Sequence, residues 1–372
     1  MGKRITVMFF VAACVMFVIV GAKFVRDTGL LRKYPEAEYF DEADSHKRPV
    51  YELLSDREKA VYHAMYEGMK GHKEKIELPY EISGDTYSKL YCIVEKQESE
   101  LFYADSTYYT AEKLRDANII YRLSDAACET KIQALENAKI AAVASIRRSD
   151  DEYSKALKIH DHIVKNCKYI TGEDQMFSST AYGCLVEGKA NCEGYAKAFD
   201  LLARECGLRS VLVTGVTDSG ENHAWNQLEV NGKWYNLDVT WDDTDIVGDV
   251  RRAYFLCSDD DFSSTHTADK ENFEPFECSG GDDEYYIRSG KYADSLESAE
   301  NIIRTGIFEN LKNIEIKFSD KALYDKFKAR YFEQRYIFNV IAAEDPGLAS
   351  NISISVRENE KECCITLVFN DD

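Results

Sequence analysis

Residues 188–197 read Gly-Lys-Ala-Asn-Cys-Glu-Gly-Tyr-Ala-Lys, and they contain the main structural signal of the chain. Asn191 is a good N-cap residue, so Cys192 is predicted to lie in the first turn of a helix that ends near Cys206. The positive end of the helix dipole stabilises a thiolate there. Unpaired backbone N–H groups of the same turn can hold an oxyanion. Taken alone, Cys192 has a second interpretation, a small buried cysteine at a helix start.

A predicted β-hairpin brings two further polar residues together. Asn231-Gly232 is the strongest short signal for a two-residue type I′ turn. The resulting register puts Trp225 opposite Asp238, and His223 lies two residues from Trp225 on the same face of the sheet. His223 and Asp238 are therefore diagonal neighbours whose side chains can form a hydrogen bond. A carboxylate behind an imidazole is the arrangement that orients a catalytic base. The alternatives are a surface histidine at a strand start and a carboxylate that ends a strand.

Several sequence blocks together resemble the bacterial transglutaminase-like superfamily. Residues 188–199 contain Cys192, residues 222–226 read Asn-His-Ala-Trp-Asn, and residues 234–242 read Trp-Tyr-Asn-Leu-Asp-Val-Thr-Trp-Asp. The segments 159–161 and 181–185 also resemble this family. The resemblance covers roughly residues 95–260, and its blocks occur in the family's order with compatible spacing.

The resemblance implies a papain-like cysteine fold and a catalytic triad. Cys192 would be the nucleophile, His223 the base and Asp238 the orienting acid. The family includes acyltransferases, peptidases and members of unknown activity. We therefore expect a cysteine enzyme that acts on peptide or protein amide bonds through a thioester, as a peptidase, an amidase or a transglutaminase-type acyltransferase. The alternative function is a non-catalytic cell-surface module that binds peptide in the same cleft.

Other residues are weaker site candidates. Tyr182, Asn191, Trp225 and Trp241 are candidates for the lining of the substrate cleft, although packed aromatic residues are an equal alternative. His160 lies on the apolar stripe of its helix, which favours a role in the core.

An acidic segment follows the hairpin but departs from the ligand spacing of an EF-hand, so a solvated loop is favoured over a calcium site. Its acidic residues are Asp242, Asp243, Asp245 and Asp249. We expect no metal and no cofactor.

Composition and charge limit the class of protein. The chain has 372 residues, of which 45% are hydrophobic and 12% aromatic, so it can bury a sizeable core. Its formal net charge of −20 argues against nucleic acid as a partner, because phosphate binding requires a basic surface.

The segment Ile5–Ala22 carries no charged residue and follows Lys3 and Arg4. As a helix it would span about 27 Å, which is enough for a bilayer core. An uncleaved signal anchor is the favoured interpretation, with a cleaved signal peptide ending at Ala22 or a lipobox at Cys14 as alternatives. Each places the folded part outside the cytoplasm, either on the cell membrane or secreted.

The predicted fold class is α+β, with a catalytic helix packed on an antiparallel sheet. The predicted helices include Glu193–Cys206, one that starts after a capping box at Ser149, and one at Asp320–Ala342; β structure is predicted between Leu78 and Tyr109. The predicted divisions are a transmembrane helix (1–24), a linker (25–50), an N-terminal α/β region (51–148), the catalytic core (149–278) and a small C-terminal α/β tail (285–372).

Overall fold

A computed structural model describes residues 34–171, 175–243, 250–347 and 352–371, together with the single positions 16, 20 and 23. The predicted anchor therefore lies outside the described residues, apart from Met16 and Val20. Within the described part of the chain, no helix is both long and apolar enough to cross a bilayer.

Side-chain caps set many of the helix starts. Ser55 and Glu58 form the predicted capping box, in which the Ser55 hydroxyl accepts from Glu58 N–H and the Glu58 carboxylate accepts from Ser55 N–H. The prediction that a capping box at Ser149 starts the helix Glu152–Asn166 is wrong. The Asp151 carboxylate, which directly precedes that helix, accepts from the backbone N–H of Ser154 at 2.8 Å. The helices are α1 (Glu42–His46), α2 (Pro49–Glu52), α3 (Asp56–Lys70), α4 (Gly84–Gln97), α5 (Asp125–Val143), α6 (Glu152–Asn166), α7 (Ala181–Leu185), α8 (Cys192–Glu205), α9 (Val239–Asp242), α10 (Asp259–Phe262), α11 (Tyr285–Arg288), α12 (Leu296–Phe308), α13 (Lys321–Lys328) and α14 (Ile337–Glu344).

The strands form four separate sheets in the described residues. The sheet that carries the candidate site has the order β8-β7-β6-β9 and is antiparallel throughout. The other orders are β1-β3-β2, β4-β5 and β10-β11-β13-β12. The strands are β1 (Lys75–Ser83), β2 (Ala104–Tyr108), β3 (Lys113–Tyr121), β4 (Lys168–Tyr169), β5 (Lys189–Ala190), β6 (Arg209–Thr217), β7 (Asn222–Val230), β8 (Lys233–Leu237), β9 (His266–Ala268), β10 (Tyr292–Ala293), β11 (Asn313–Phe318), β12 (Ile352–Asn359) and β13 (Cys364–Asp371).

The predicted β structure between Leu78 and Tyr109 is wrong in its middle part, where the chain forms helix α4. The Ser83 hydroxyl accepts from the backbone N–H of Thr86 and starts this helix. Buried residues then recur at helical spacing, although several are of types that favour strands. These residues are Tyr87, Leu90, Tyr91 and Val94.

The predicted helix Asp320–Ala342 is also interrupted. Helix α13 passes into a π-helical segment at Ala329–Glu333, and α14 begins only at Ile337. Arg335 adopts a positive φ of 58°, which ends the helical run because the left-handed conformation cannot continue a right-handed helix.

Two large hydrophobic cores and one small cluster, formed by Ala196, Leu212 and Ala224, are present in the described residues. One extends from Val50 to Tyr286 and also includes Cys364, so the N-terminal region and the catalytic core share it. The second belongs to the tail, between Ala293 and Phe369. Residues 42–50, predicted as linker, form α1 and enter α2, and Val50 is buried.

Candidate active site

Cys192 is the first residue of α8 and directly follows the N-cap residue Asn191. The Asn191 side chain accepts a hydrogen bond from Gly194 N–H at 3.1 Å, so the predicted N-cap is confirmed. The Cys192 side chain is partly buried and packs against Ala196, Leu212 and Ala224. Because the N-cap satisfies the N–H of Gly194, the earlier N–H groups of the turn are left for a ligand.

The loop before α8 lies closely against its first turn. A Cβ added at Gly194 would lie 2.4 Å from the carbonyl oxygen of Ser178. The backbone N–H of Asn191 donates to that same carbonyl at 2.9 Å. These contacts fix the cap and therefore the position of Cys192.

The hairpin places His223 and Asp238 as predicted. Strands β7 and β8 pair Val230 with Lys233 and Asn226 with Leu237, which is the expected register. β8 ends at Leu237, and Asp238 follows it directly. His223 Nε2 lies 2.6 Å from Asp238 Oδ2, a short hydrogen bond between buried groups.

The second oxygen of Asp238 is held by the backbone. Asp238 is the N-cap of α9, and its Oδ1 accepts from Thr240 N–H at 2.9 Å and from Trp241 N–H at 3.2 Å. The backbone therefore holds one oxygen of the carboxylate and leaves Oδ2 to face His223.

The electrostatics of the pair favour a charged imidazole. Burial alone would lower the pKa of His223. The charge and hydrogen bond of Asp238, followed by the interaction of His223 with Cys192, raise this pKa to about 10. Burial would raise the pKa of Asp238, but the two neighbouring imidazoles hold it well below its usual range. These shifts favour a protonated, charged imidazole at His223 at neutral pH.

A second histidine, which the sequence analysis missed, completes the surroundings of Asp238. His266 Nε2 lies 3.2 Å from Asp238 Oδ2, and His266 Nδ1 lies 2.8 Å from the hydroxyl of Thr265. His266 is in the edge strand β9, opposite Thr217 of β6. No local sequence signal marks it, because its role depends on where that edge strand pairs.

His223, Asp238 and His266 could together be taken for a metal site, since one ligand atom from each lies within 4.8 Å of the others. Ligands of a tetrahedral zinc ion sit about 2.0–2.2 Å from the metal, which separates them by roughly 3.3 Å. The 2.6 Å between His223 and Asp238 is instead a hydrogen-bond length. The geometry therefore fits a hydrogen-bonded chain.

Two of the cleft candidates lie beside the histidines. The ring of Trp241 is 5.5 Å from that of His223 and 4.5 Å from that of His266, and it is half-buried. The Trp225 ring stacks 6.3 Å from His223 but is only 2% exposed. Trp241 is thus the better placed of the two to contact a substrate.

Tyr182 belongs to a packed aromatic cluster. Its ring stacks on Phe102 at 4.9 Å and contacts Phe177 at 4.8 Å, while its hydroxyl accepts from Lys131 at 3.2 Å. These contacts favour the packing interpretation of Tyr182. Asn191 acts as the helix cap described above.

The first residue of the acidic segment is not solvated. Asp242 is completely buried and lies 3.2 Å from His160 Nε2, which contradicts the solvated interpretation for this residue. His160 is likewise buried, as predicted for a core residue. The pair therefore joins α6 to the last residue of α9, the helix that Asp238 caps. Asp245 and Asp249 lie outside the described residues.

The cysteines of the described residues form no disulfide. All ten described cysteines are free thiols. Burial raises the pKa of the Cys184 thiol well above its usual value, with a further contribution from the hydrogen bond and charge of Cys167. Such thiols are poor nucleophiles, unlike one at a helix N-terminus.

Comparison with known proteins gives a family match for the region of the site. The family model of the Transglutaminase-like superfamily matches residues 140–239. The chain is 29% identical to Kyphoscoliosis peptidase of Mus musculus over 140 residues, covering 34% of this chain and 21% of that protein. It is 31% identical to the Homo sapiens protein over 91 residues, covering 22% of this chain and 14% of that one.

The chain thus spans about a fifth or less of the length of these relatives. A crystal structure of a TGase aligns with 34% of this chain and 35% of its own, at 15% identity and a TM-score of 0.29. Residues 140–239, the part of the chain that is similar to the Transglutaminase-like superfamily, include Cys192, His223 and Asp238.

Proposed function

We propose that the protein is a membrane-anchored, extracytoplasmic bacterial cysteine enzyme that cleaves or exchanges peptide or protein amide bonds through a thioester. The observation that carries this proposal is the 2.6 Å contact of His223 with Asp238 behind a cysteine at a helix N-terminus. Nε2 of His223 is used by Asp238, so Nδ1 is the nitrogen left to exchange a proton with Cys192.

The first half of the reaction forms the thioester. The His223 imidazolium holds the proton released by Cys192, and the thiolate attacks the amide carbonyl carbon to give a tetrahedral oxyanion. Backbone N–H groups at the start of α8 stabilise that charge. The C–N bond then breaks, and the His223 imidazolium protonates the departing amine.

The second half releases the acyl group. His223 removes a proton from water or from an amine, whose oxygen or nitrogen attacks the thioester carbonyl. The C–S bond breaks, which restores the Cys192 thiolate beside the protonated His223. Water makes the protein a peptidase or amidase, while an amine makes it an acyltransferase. The name of the curated relatives, a peptidase, supports the first outcome.

Labelling of the nucleophile tests the chemistry. A thiol-directed probe should label Cys192 much faster than the partly exposed Cys206, and His223→Ala should abolish that preference. Cys192→Ala should remove turnover of a peptide library without lowering the melting temperature, since alanine suits a helix. Full turnover by Cys192→Ala would refute the proposal. Equal labelling of both cysteines would favour the peptide-binding alternative.

The acceptor is identified by the products. Digestion of the same library should be compared with and without an added primary amine. New amide adducts would indicate acyl transfer, and cleaved peptides alone would indicate hydrolysis.

The location rests on the N-terminal segment. The uncharged run Ile5–Ala22 supports a membrane anchor with Lys3 and Arg4 inside the cell. The protein should fractionate with membranes, and protease added to intact cells should digest the folded part. Complete protection of the chain would refute this orientation.

A further inference from the structure

The Asp238 carboxylate accepts four hydrogen bonds, and one of them comes from a residue without an assigned role. Two backbone N–H groups bind Oδ1, while His223 and His266 both bind Oδ2. Four is close to the full capacity of a carboxylate. We propose that His266 is a positioning residue that holds Asp238 in the orientation that supports His223. This inference rests on the function proposed above.

The ring of His266 is fixed by its surroundings. Its side chain is 0% exposed. It stacks on Phe262 at 3.9 Å and meets Trp241 at 4.5 Å and Trp225 at 5.1 Å. A ring enclosed on these sides keeps its two nitrogens directed at Asp238 and Thr265. The ring can therefore hold Oδ2 of Asp238 in one position.

Thr265 holds the nitrogen of His266 that does not face Asp238. Its hydroxyl lies 2.8 Å from His266 Nδ1 and donates to the carbonyl oxygen of Phe262 at 3.2 Å. Nε2 faces Asp238 Oδ2 and carries a proton there, because a carboxylate oxygen can only accept. A lone pair on Nε2 would instead face the negatively charged Oδ2, which is repulsive.

His223 and His266 approach the same oxygen of Asp238, and their ring centroids are only 5.4 Å apart. The hydroxyl of the nearby Tyr254 is directed away from this pair and donates to Glu362 at 2.5 Å. Asp238 supplies the negative charge that supports His223, and His266 supplies a further hydrogen bond to Oδ2.

The proposed role predicts a specific defect. Without the His266 donor, Oδ2 keeps one partner, and the carboxylate can turn away from its bond to His223. The imidazolium then loses support, and fewer Cys192 thiols are ionised at neutral pH. A hydrogen bond to a charged group is typically worth enough to change such an equilibrium about tenfold.

Alkylation of Cys192 by iodoacetamide measures this ionisation without any substrate. Its rate should be followed from pH 5 to 10 by mass spectrometry of the Cys192 peptide, with Cys206 as the internal reference. His266→Phe keeps the packed ring but removes both hydrogen bonds, so the rate at pH 7 should fall about tenfold and the pH midpoint should rise. His266→Gln retains an N–H donor and should stay within about threefold of wild type.

A second variant and a control keep the test decisive. Thr265→Val preserves the shape and the ring but removes the hydroxyl, so it should give an intermediate rate even if His266→Phe folds poorly. His46→Gln, at a side chain that is 64% exposed, should match wild type. With a substrate in hand, kcat of His266→Phe should fall while KM stays unchanged.

Two results would overturn the inference. One is a wild-type alkylation profile in both His266→Phe and Thr265→Val, and the other is a His266→Gln variant as slow as His266→Phe. A reactive wild-type Cys192 without any amide turnover would refute the proposed function but leave the role of His266 intact. A wild-type Cys192 no faster than Cys206 would refute both.

Discussion

Asp238 links the hairpin to the helix that follows it, because its two oxygens serve different partners. Oδ1 caps α9 through backbone N–H groups, and Oδ2 receives the two imidazoles. The contact with His223 follows from the turn and register that the sequence predicts. The N–H groups of Thr240 and Trp241 are local partners, and only the contact with His266 depends on tertiary structure.

Asp238→Asn should damage the site severely. The amide oxygen can still accept from the backbone of α9, but this leaves its NH₂ group facing His223 and His266, where an acceptor is required. His223 Nε2 then becomes the acceptor, and its proton moves to Nδ1, the side of Cys192. By analogy with such tautomer errors, kcat should fall by at least about 100-fold.

The matched control is Asp282→Asn, at an exposed position, which should keep wild-type kcat. Activity within about threefold of wild type in Asp238→Asn would show that the carboxylate charge is dispensable.

His223 also predicts how stability depends on pH. Burial opposes its protonation, but Asp238 and Cys192 raise its pKa to about 10, above the ordinary value of 6.5. A folded-state pKa above the unfolded value adds stability that is complete below pH 6.5 and is lost as the pH rises towards 10. The difference in urea unfolding free energy between wild type and His223→Gln should therefore decrease between pH 6.5 and 10. A difference that grows over this range would contradict the charged-pair interpretation.

At the scale of single elements, helix α8 is buried along most of its length, while its first residue, Cys192, is partly exposed. Residues 194–203 are buried, including the charged Lys197 and Asp200. Lys197 pairs with Glu95 at 2.6 Å and with Glu193 at 2.8 Å, so α4 holds the first turn of α8. The N-terminal region therefore helps to position the nucleophile.

Strand β9 must approach β6 closely to bring His266 to Asp238. The approach occurs at Gly215, where an added Cβ would lie 2.1 Å from the carbonyl oxygen of Thr267 and 2.7 Å from the Trp225 ring. Gly215→Ala should therefore separate β9 from β6, at a cost of about 1–3 kcal/mol in unfolding free energy.

The same change should slow alkylation of Cys192, because His266 moves with its strand. Val216→Ala, at the next and partly exposed position of β6, serves as the control and should alter neither quantity appreciably. A Gly215→Ala protein with normal stability and normal alkylation would show that β9 can shift without affecting the site.

Local chemistry explains which elements the sequence could predict. The Asn191 cap and the Asn231-Gly232 turn are defined by a few adjacent residues, and both are present. Helix α4 was missed because its β-favouring tyrosine, isoleucine and valine side chains are buried on a helical face. His266 could not be found because no short pattern specifies the pairing of an edge strand.

For the whole molecule, a buried group of charges joins the N-terminal region to the catalytic helix. Glu98 is 1% exposed and binds Arg48 Nε at 2.7 Å, the Arg204 guanidinium at 2.5 Å and the Tyr62 hydroxyl at 2.6 Å. Arg204 also contacts Asp200 at 3.1 Å. Burial would raise the pKa of Glu98, but the two guanidinium groups hold it below its usual value.

Glu98→Gln should destabilise the whole catalytic unit. It leaves two largely buried guanidinium groups without their shared counter-charge, which typically costs about 3–5 kcal/mol. Urea unfolding at pH 7 measures this loss. Glu274→Gln breaks an exposed pair with Lys270 and should change the unfolding free energy by less than about 0.5 kcal/mol. Equal effects of the two changes would mean that the buried charges contribute no more than surface ones.

The shared hydrophobic core determines which truncated fragments of the chain can stay in solution. The family match begins at residue 140, yet the core around α8 already includes Val50, Tyr62 and Leu90. A fragment cut at that boundary would carry the three site residues but expose an apolar face to solvent. Such a fragment should precipitate on expression, whereas one that begins before α1 should stay in solution.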